Sequence, residues 1–170
     1  MERHRFLRVC LGLGTVRLAG CSATAPVVGD DEAFEVVKSE AEWLELLTYA
    51  EYLVLFGGTT EFPFSSPLLS EHRVGTYICK ACLLPLFPAS TKYETGTGWP
   101  SFWDAIDGGL RFRPDFELGE RRTEYHCRRC GGHQGHVFDD GPRPTSKRYC
   151  NNGLALLFVP SDEPLPPLRT

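Results

Sequence analysis

Apolar residues follow two rhythms along this chain, and the change between them falls near Gly75. Upstream they recur three and four positions apart: Trp43, Leu46 and Leu47, then Tyr52 and Leu55. That spacing gathers them on one side of a helix. Ser39 precedes Glu42 by three positions and Thr48 precedes Glu51 likewise, the S/T-x-x-E pattern whose side chains satisfy the unpaired first amides of a helix. Two short helices are therefore predicted, the second ended by Gly57 and Gly58, and together they should form a lid packed on a sheet.

From Gly75 onward the apolar residues fall in short, strand-like pieces separated by turn residues. The expected strands are Thr76–Cys79, Leu110–Arg113, Arg122–Cys127, Gly135–Phe138, Arg148–Cys150 and Ala155–Val159. Brief strands joined by turns make an antiparallel, mainly β domain. The last eleven residues, Pro160–Thr170, hold four prolines and read as a poorly ordered tail.

Composition and charge narrow this picture. The 170 residues suit one domain with a substantial core, and 30 of them are glycine or proline, which favours many turns over long helices. A net charge of -4 and a pI near 5.7 argue against a nucleic-acid partner, which calls for a basic face. No apolar run is long enough for an ordinary membrane-spanning helix. Residues 1–21 stand apart: Arg3, Arg5, Arg8 and Arg17 face one acid, Glu2, around an apolar-leaning run. The sequence Leu18-Ala19-Gly20-Cys21 resembles a bacterial lipoprotein cleavage box, so Cys21 is expected to carry a lipid and the mature chain to sit in the periplasm, anchored to a membrane only through that lipid. An organelle transit peptide, mitochondrial or chloroplast, is the rival reading of the same arginine-rich segment. The chain then divides into this signal segment, a linker at 22–33, a domain at 34–159 and the tail at 160–170.

The candidate chemistry lies in the cysteines. Cys79-Lys80-Ala81-Cys82 and Cys127-Arg128-Arg129-Cys130 are two C-x-x-C knuckles separated by 44 residues. Paired knuckles form a tetrahedral thiolate cage for one structural zinc ion, with no open position for catalysis. Two disulfides or two redox-active dithiols are the other readings, and an exported protein gives the disulfides weight. Once Cys10, Cys21 and the four knuckle sulfurs are set aside, Cys150 remains. A leftover cysteine is often a small buried hydrophobe. Here Arg148 lies two residues away and so on the same face of a strand, where its guanidinium would favour the thiolate. Cys150 is the candidate nucleophile. His133 and His136, which titrate near neutral pH, are candidate proton donors beside it.

Gly96-Thr97-Gly98-Trp99-Pro100-Ser101-Phe102, His133-Gln134-Gly135-His136-Val137-Phe138, Asp140-Gly141-Pro142 and Arg148-Tyr149-Cys150-Asn151-Asn152 together resemble the peptide methionine-R-sulfoxide reductases, the MsrB family, in its zinc-bearing branch. The resemblance runs from about Phe34 to Phe158. It implies a fold of two antiparallel sheets with short N-terminal helices tied by zinc, and reduction of methionine R-sulfoxide in oxidised proteins or peptides by a monomer. It implies Cys150 as nucleophile, passing through a sulfenic acid, and His136 as acid with His133 helping to orient. It further implies Arg148 holding the thiolate, Asn152 donating to the sulfoxide or a water, Asp140 orienting a histidine or the loop, and Trp99 as a wall against the S-methyl group. Many members carry a second cysteine just before the Gly-Trp-Pro run, where this chain has Thr97. An external thiol, thioredoxin-like or other, is therefore expected to restore Cys150. Ser146 stands where the family commonly has glycine. A zinc-ribbon-like interaction module or a general C-x-x-C oxidoreductase would explain the knuckles alone, but neither accounts for Cys150 and its neighbours.

Overall fold

The computed structural model describes residues 33–116, 119 and 121–170, so the expected signal segment and nearly all of the linker lie outside the described residues. Both helices form where the capping patterns place them. In α1 (Glu40–Leu44) the Ser39 side chain accepts from the Glu42 amide, and in α2 (Tyr49–Phe56) Thr48 does the same for Glu51. Each glutamate carboxylate accepts the cap residue's own N–H at 2.8 Å, which closes both boxes. Trp43, Leu47 and Leu55 are buried as predicted and Tyr52 partly so, whereas Leu46 is 41% exposed and Val54 takes a core position instead. The difference follows from α1 ending at Leu44, which leaves Leu46 in a turn with no helical face to obey.

Among the described residues nine strands make two antiparallel sheets. β1 (Gly75–Cys79) lies between β2 (Pro85–Pro88) and β9 (Leu156–Pro160). The larger sheet has the order β3-β4-β8-β7-β6-β5, built from β3 (Lys92–Tyr93), β4 (Ser101–Phe102), β5 (Leu110–Asp115), β6 (Arg122–Cys127), β7 (His133–Phe138) and β8 (Arg148–Asn151). The core between the sheets is aromatic. Tyr77, Phe87, Phe102 and Tyr125 are fully buried, and the rings of Phe87 and Phe102 stack with centroids 4.3 Å apart. Such pairs add about 0.5–1.5 kcal/mol beyond area burial alone.

Alternation along β8 then decides what faces out. Tyr149 packs inward against Phe87 and Tyr125, so Arg148 and Cys150 occupy the opposite face. The C-terminal segment, expected to be poorly ordered, is instead laid over the first knuckle. The Arg169 amide donates to the Cys82 carbonyl at 3.1 Å, and its guanidinium donates to the carbonyls of Lys80 and Ala81. Arg129 in turn donates to the Arg169 carbonyl.

Candidate active site and metal centre

Register across the large sheet assembles one row of polar side chains. Tyr93 pairs with Ser101, Ser101 with Cys150, Cys150 with His136, His136 with Glu124, and Glu124 with Arg113. Residues directly opposite in antiparallel strands share a face with Cβ atoms about 4.5–5.5 Å apart. Six strands thereby contribute to one row, in which Ser101 and His136 flank Cys150 directly. Gly135 makes the close strand approach possible, since a Cβ there would stand 1.9 Å from the Cys150 carbonyl oxygen.

Cys150 opens into a cleft of about 150 Å³ lined also by Thr60, Trp99, Arg122, Gly135, His136, Phe138, Asn151 and Asn152. Trp99 forms one wall and is pinned by its indole N–H, which donates to the Glu61 carbonyl at 3.1 Å. His133 lines an adjoining concavity with His136, its ring centroid 5.4 Å from that of His136. Of the two histidines, only His136 reaches the cleft that holds Cys150.

Each histidine is held by a carboxylate, and each carboxylate by an arginine. His136 donates from Nε2 to Asp115 at 2.7 Å, and Arg122 donates to the same carboxylate. His133 bonds through Nδ1 to Glu124 at 2.9 Å, and Arg113 donates to Glu124 at 2.6 and 3.0 Å. Burial pushes His136 below its ordinary value, with the Asp115 bond opposing, so the ring is neutral at pH 7. Burial alone would raise Glu124, but the bonds from His133 and Arg113 prevail and hold it at about 2.

Arg148 and Cys150 do share a face, yet the expected thiolate is not the resting state. Burial pushes the Cys150 thiol up, outweighing Arg148 and the hydroxyls of Thr97 and Ser101, which all pull the other way. The Arg148 charge is largely answered already, because its guanidinium donates twice to Asp140, at 2.8 and 2.9 Å, and lies 4.2 Å from the centroid of Phe138. Asp140 therefore orients Arg148, not a histidine. Thr97 stands near enough to Cys150 for its hydroxyl to favour the thiolate; Thr95 lies 2.8 Å from Thr97 and 3.3 Å from Ser101.

Asn152 lines the cleft but is chiefly a brace. Its amide donates to the Gln134 carbonyl at 3.2 Å, and its side-chain oxygen accepts from the Glu61 N–H at 3.1 Å. Glu61 is the residue that sequence reasoning missed most plainly. Its buried carboxylate accepts the amides of Gly153 and Leu154, both at 2.8 Å, while its own backbone holds Asn152 and Trp99. Asp115, Glu124 and Glu61 carry no local motif, and only the strand register and the loop crossing bring them to the site. Ser146 adopts φ 57, the left-handed region that favours glycine, which explains the family's usual residue there.

The four knuckle cysteines converge as their spacing predicted. All four sulfurs are buried and lie within 4.8 Å of one another, with Cys79 to Cys130 at 3.7 Å and Cys82 to Cys127 at 3.4 Å. A metal–sulfur bond of about 2.3 Å gives a tetrahedral edge of about 3.8 Å, whereas a disulfide needs about 2.05 Å. The donor set fits a tetrahedral metal ion and not two disulfides. Cys79 ends β1 and Cys127 ends β6, so the centre ties the small sheet to the large one.

Comparison with known proteins agrees with this arrangement. Residues 47–160 match the SelR domain family. The chain is similar to the peptide methionine sulfoxide reductase MsrB of Alteromonas mediterranea, 47% identical over 125 residues, covering 73% of this chain and 88% of that protein. It is likewise 47% identical over 126 residues to the Leptospira interrogans protein of the same name, covering 74% of this chain and 96% of the relative. The mouse methionine-R-sulfoxide reductase B3, mitochondrial, is 41% identical over 143 residues, or 84% of this chain and 56% of the mouse protein. With the family match spanning its folded core, and a cleft cysteine, a histidine pair and a four-sulfur centre arranged on that core, the chain belongs to the SelR domain family of MsrB methionine sulfoxide reductases.

Proposed function

We propose that this chain reduces methionine R-sulfoxide in oxidised proteins and peptides, with Cys150 as the attacking sulfur. The observation that carries this reading is the register that sets Cys150 beside His136 in a cleft walled by Trp99. The methionine sulfoxide enters with its S-methyl group against Trp99, a contact worth about 0.3–1.5 kcal/mol to a sulfur group. His136 gives its Nε2 proton to the bond with Asp115, so its other ring nitrogen is free to accept the Cys150 proton. The sulfur so released attacks the sulfoxide sulfur, forming an S–S bond as the S–O bond breaks, and His136 returns the proton to the oxygen, which leaves as hydroxide. Hydroxide then adds to the Cys150 sulfur as the S–S bond breaks and the methionine thioether leaves. In the net change oxygen and proton end on Cys150, which is oxidised to a sulfenic acid, while the methionine sulfur is reduced by two electrons. His133 and Arg148 orient, the first through Glu124 and the second through Asp140; Asn152 and Glu61 keep the cleft and its tryptophan in place.

Two equivalents of an external thiol close the cycle. One displaces water from the sulfenic acid, and the second releases Cys150 as the reductant's disulfide forms. The four buried sulfurs suit zinc, which Cys79, Cys82, Cys127 and Cys130 would hold and which would stabilise the fold without entering the reaction. The Leu18–Cys21 box supports export with a lipid on Cys21, tested by lipid-precursor labelling of wild type and Cys21→Ser. The function itself is tested by offering a peptide methionine R-sulfoxide with dithiothreitol. Wild type yields methionine and Cys150→Ser yields none; equal activity in both would remove Cys150 from the mechanism.

A further inference from the structure

Trp99 lines two concavities, and only one of them contains Cys150. The other is a groove of about 300 Å³ lined by Phe64, Leu69, Thr95, Gly96 and Trp99, with Glu94 at its polar end. Phe64 is 70% exposed and Phe62, beside it in the same loop, is 84% exposed. An exposed phenylalanine brings no burial to the free protein, so its placement asks for another explanation.

The backbone is constrained to hold that ring where it is. Phe64 adopts φ 64, a conformation that bulky residues rarely take. It is kept there by its N–H, which donates to the Gly98 carbonyl at 2.7 Å, and by a close approach at Gly98, where a Cβ would stand 2.7 Å from Pro63 and 2.9 Å from the Phe64 nitrogen. The loop is not a loose flap, because Glu61 fastens it to Trp99, Asn152 and Gly153. Strain stored next to a reactive centre, around a side chain left open to solvent, is characteristic of a binding surface.

The groove adjoins the cleft of the reacting cysteine, because Trp99 lines both. Thr95 lines it and lies 2.8 Å from Thr97, whose hydroxyl stands near Cys150. An extended polypeptide advances about 3.3–3.5 Å per residue, so a residue one or two positions from a sulfoxide seated against Cys150 can pass Trp99 to its other side. We propose that the groove between Phe64 and Trp99 is a subsite for the side chain flanking the methionine sulfoxide, and that it selects an aromatic or large apolar residue of an extended polypeptide. Phe64, Leu69 and Trp99 supply the apolar contact, against which an acidic side chain would lose its hydration. The inference rests on the methionine sulfoxide reductase reading and adds its sequence preference.

The test is a set of blocked glycine peptides carrying one methionine R-sulfoxide, with phenylalanine or aspartate placed one or two positions to either side, and with N-acetylmethionine R-sulfoxide as reference. In wild type, kcat/KM rises about tenfold over the all-glycine peptide for phenylalanine at the best position and falls for aspartate. Phe64→Gly removes the ring while suiting the left-handed backbone, and Leu69→Ser removes the opposite wall; each brings the phenylalanine-to-glycine ratio down to about one. Turnover of the reference with no flank preference in wild type, or a preference kept by both variants, would overturn the subsite alone. Failure to reduce any sulfoxide would overturn the reading beneath it. A wild-type dimer that Phe64→Gly converts to monomer would assign the groove to a second copy of the chain and likewise overturn the proposal.

Discussion

Cys150 and His136 form a pair in which neither group is charged at rest, and that sets how each neighbour acts. Burial keeps the thiol protonated and the imidazole neutral, so the proton needed for the departing oxygen is already within the pair. Asp115 steadies the protonated ring, while Arg122 and His133 nearby oppose the gain of charge. Asp115→Asn therefore moves the acid limb of the kcat/KM profile to lower pH and lowers kcat by about 10- to 100-fold, because the ring loses both its bias and its orientation. An unmoved acid limb would show that another group controls it. Thr97 is the second informative residue. Since its hydroxyl stands near enough to Cys150 to favour the thiolate, Thr97→Cys should yield an intramolecular disulfide with Cys150 after one turnover, seen by mass spectrometry as the loss of two hydrogens. At this scale Cys150 and the knuckles were legible because their chemistry is local. Asp115, Glu124 and Glu61 were not, because acidic residues are common and these three gain meaning only from partners on other strands.

Among the elements, the two helices were the most legible, since a capping box is written within four residues. Six of the nine strands among the described residues were visible as short strand-like pieces between turn residues, and Arg122–Cys127 was placed to the residue. The three that were missed, β2, β3 and β4, have two to four residues each, and β2 begins and ends with proline. Pieces that short carry no alternation to detect, and they exist because neighbouring strands offer them partners. The tail was misjudged for a similar reason. Its prolines suggest disorder, but a single arginine near the end docks it on the Cys79–Cys82 turn. Arg169→Ala removes two hydrogen bonds from a charged donor, about 1.5–3 kcal/mol each. Loss of metal to a colorimetric chelator should then be several-fold faster than from wild type; an unchanged release rate would show that the tail does not clamp the knuckle.

For the whole molecule, the metal centre and the aromatic core do one job from two sides, holding the small sheet on the large one. Stripping the metal with a strong chelator should unfold the domain cooperatively, with loss of near-ultraviolet circular dichroism, since binding of a structural ion is itself folding free energy. Retention of the native spectrum in metal-free protein would contradict that. Acid acts on a different part of the same sheet. Glu124 is held at about 2 in the folded chain against an ordinary 4.5, so its contribution is complete above pH 4.5 and is lost as pH falls towards 2. Urea midpoints should decline across that window, and Glu124→Gln should flatten the decline while lowering the plateau.

In the proposed cycle one cysteine carries the reaction and no second cysteine of the chain completes it. Single turnover tests this most directly: reduced enzyme is mixed with a peptide methionine R-sulfoxide in the absence of any thiol, then analysed by intact mass with dimedone trapping. Expected are one methionine formed per chain, a gain of one oxygen atom in the untrapped sample, and a dimedone adduct at Cys150 in the trapped one. No methionine, or a disulfide joining Cys150 to another cysteine of the chain in place of the adduct, would contradict it.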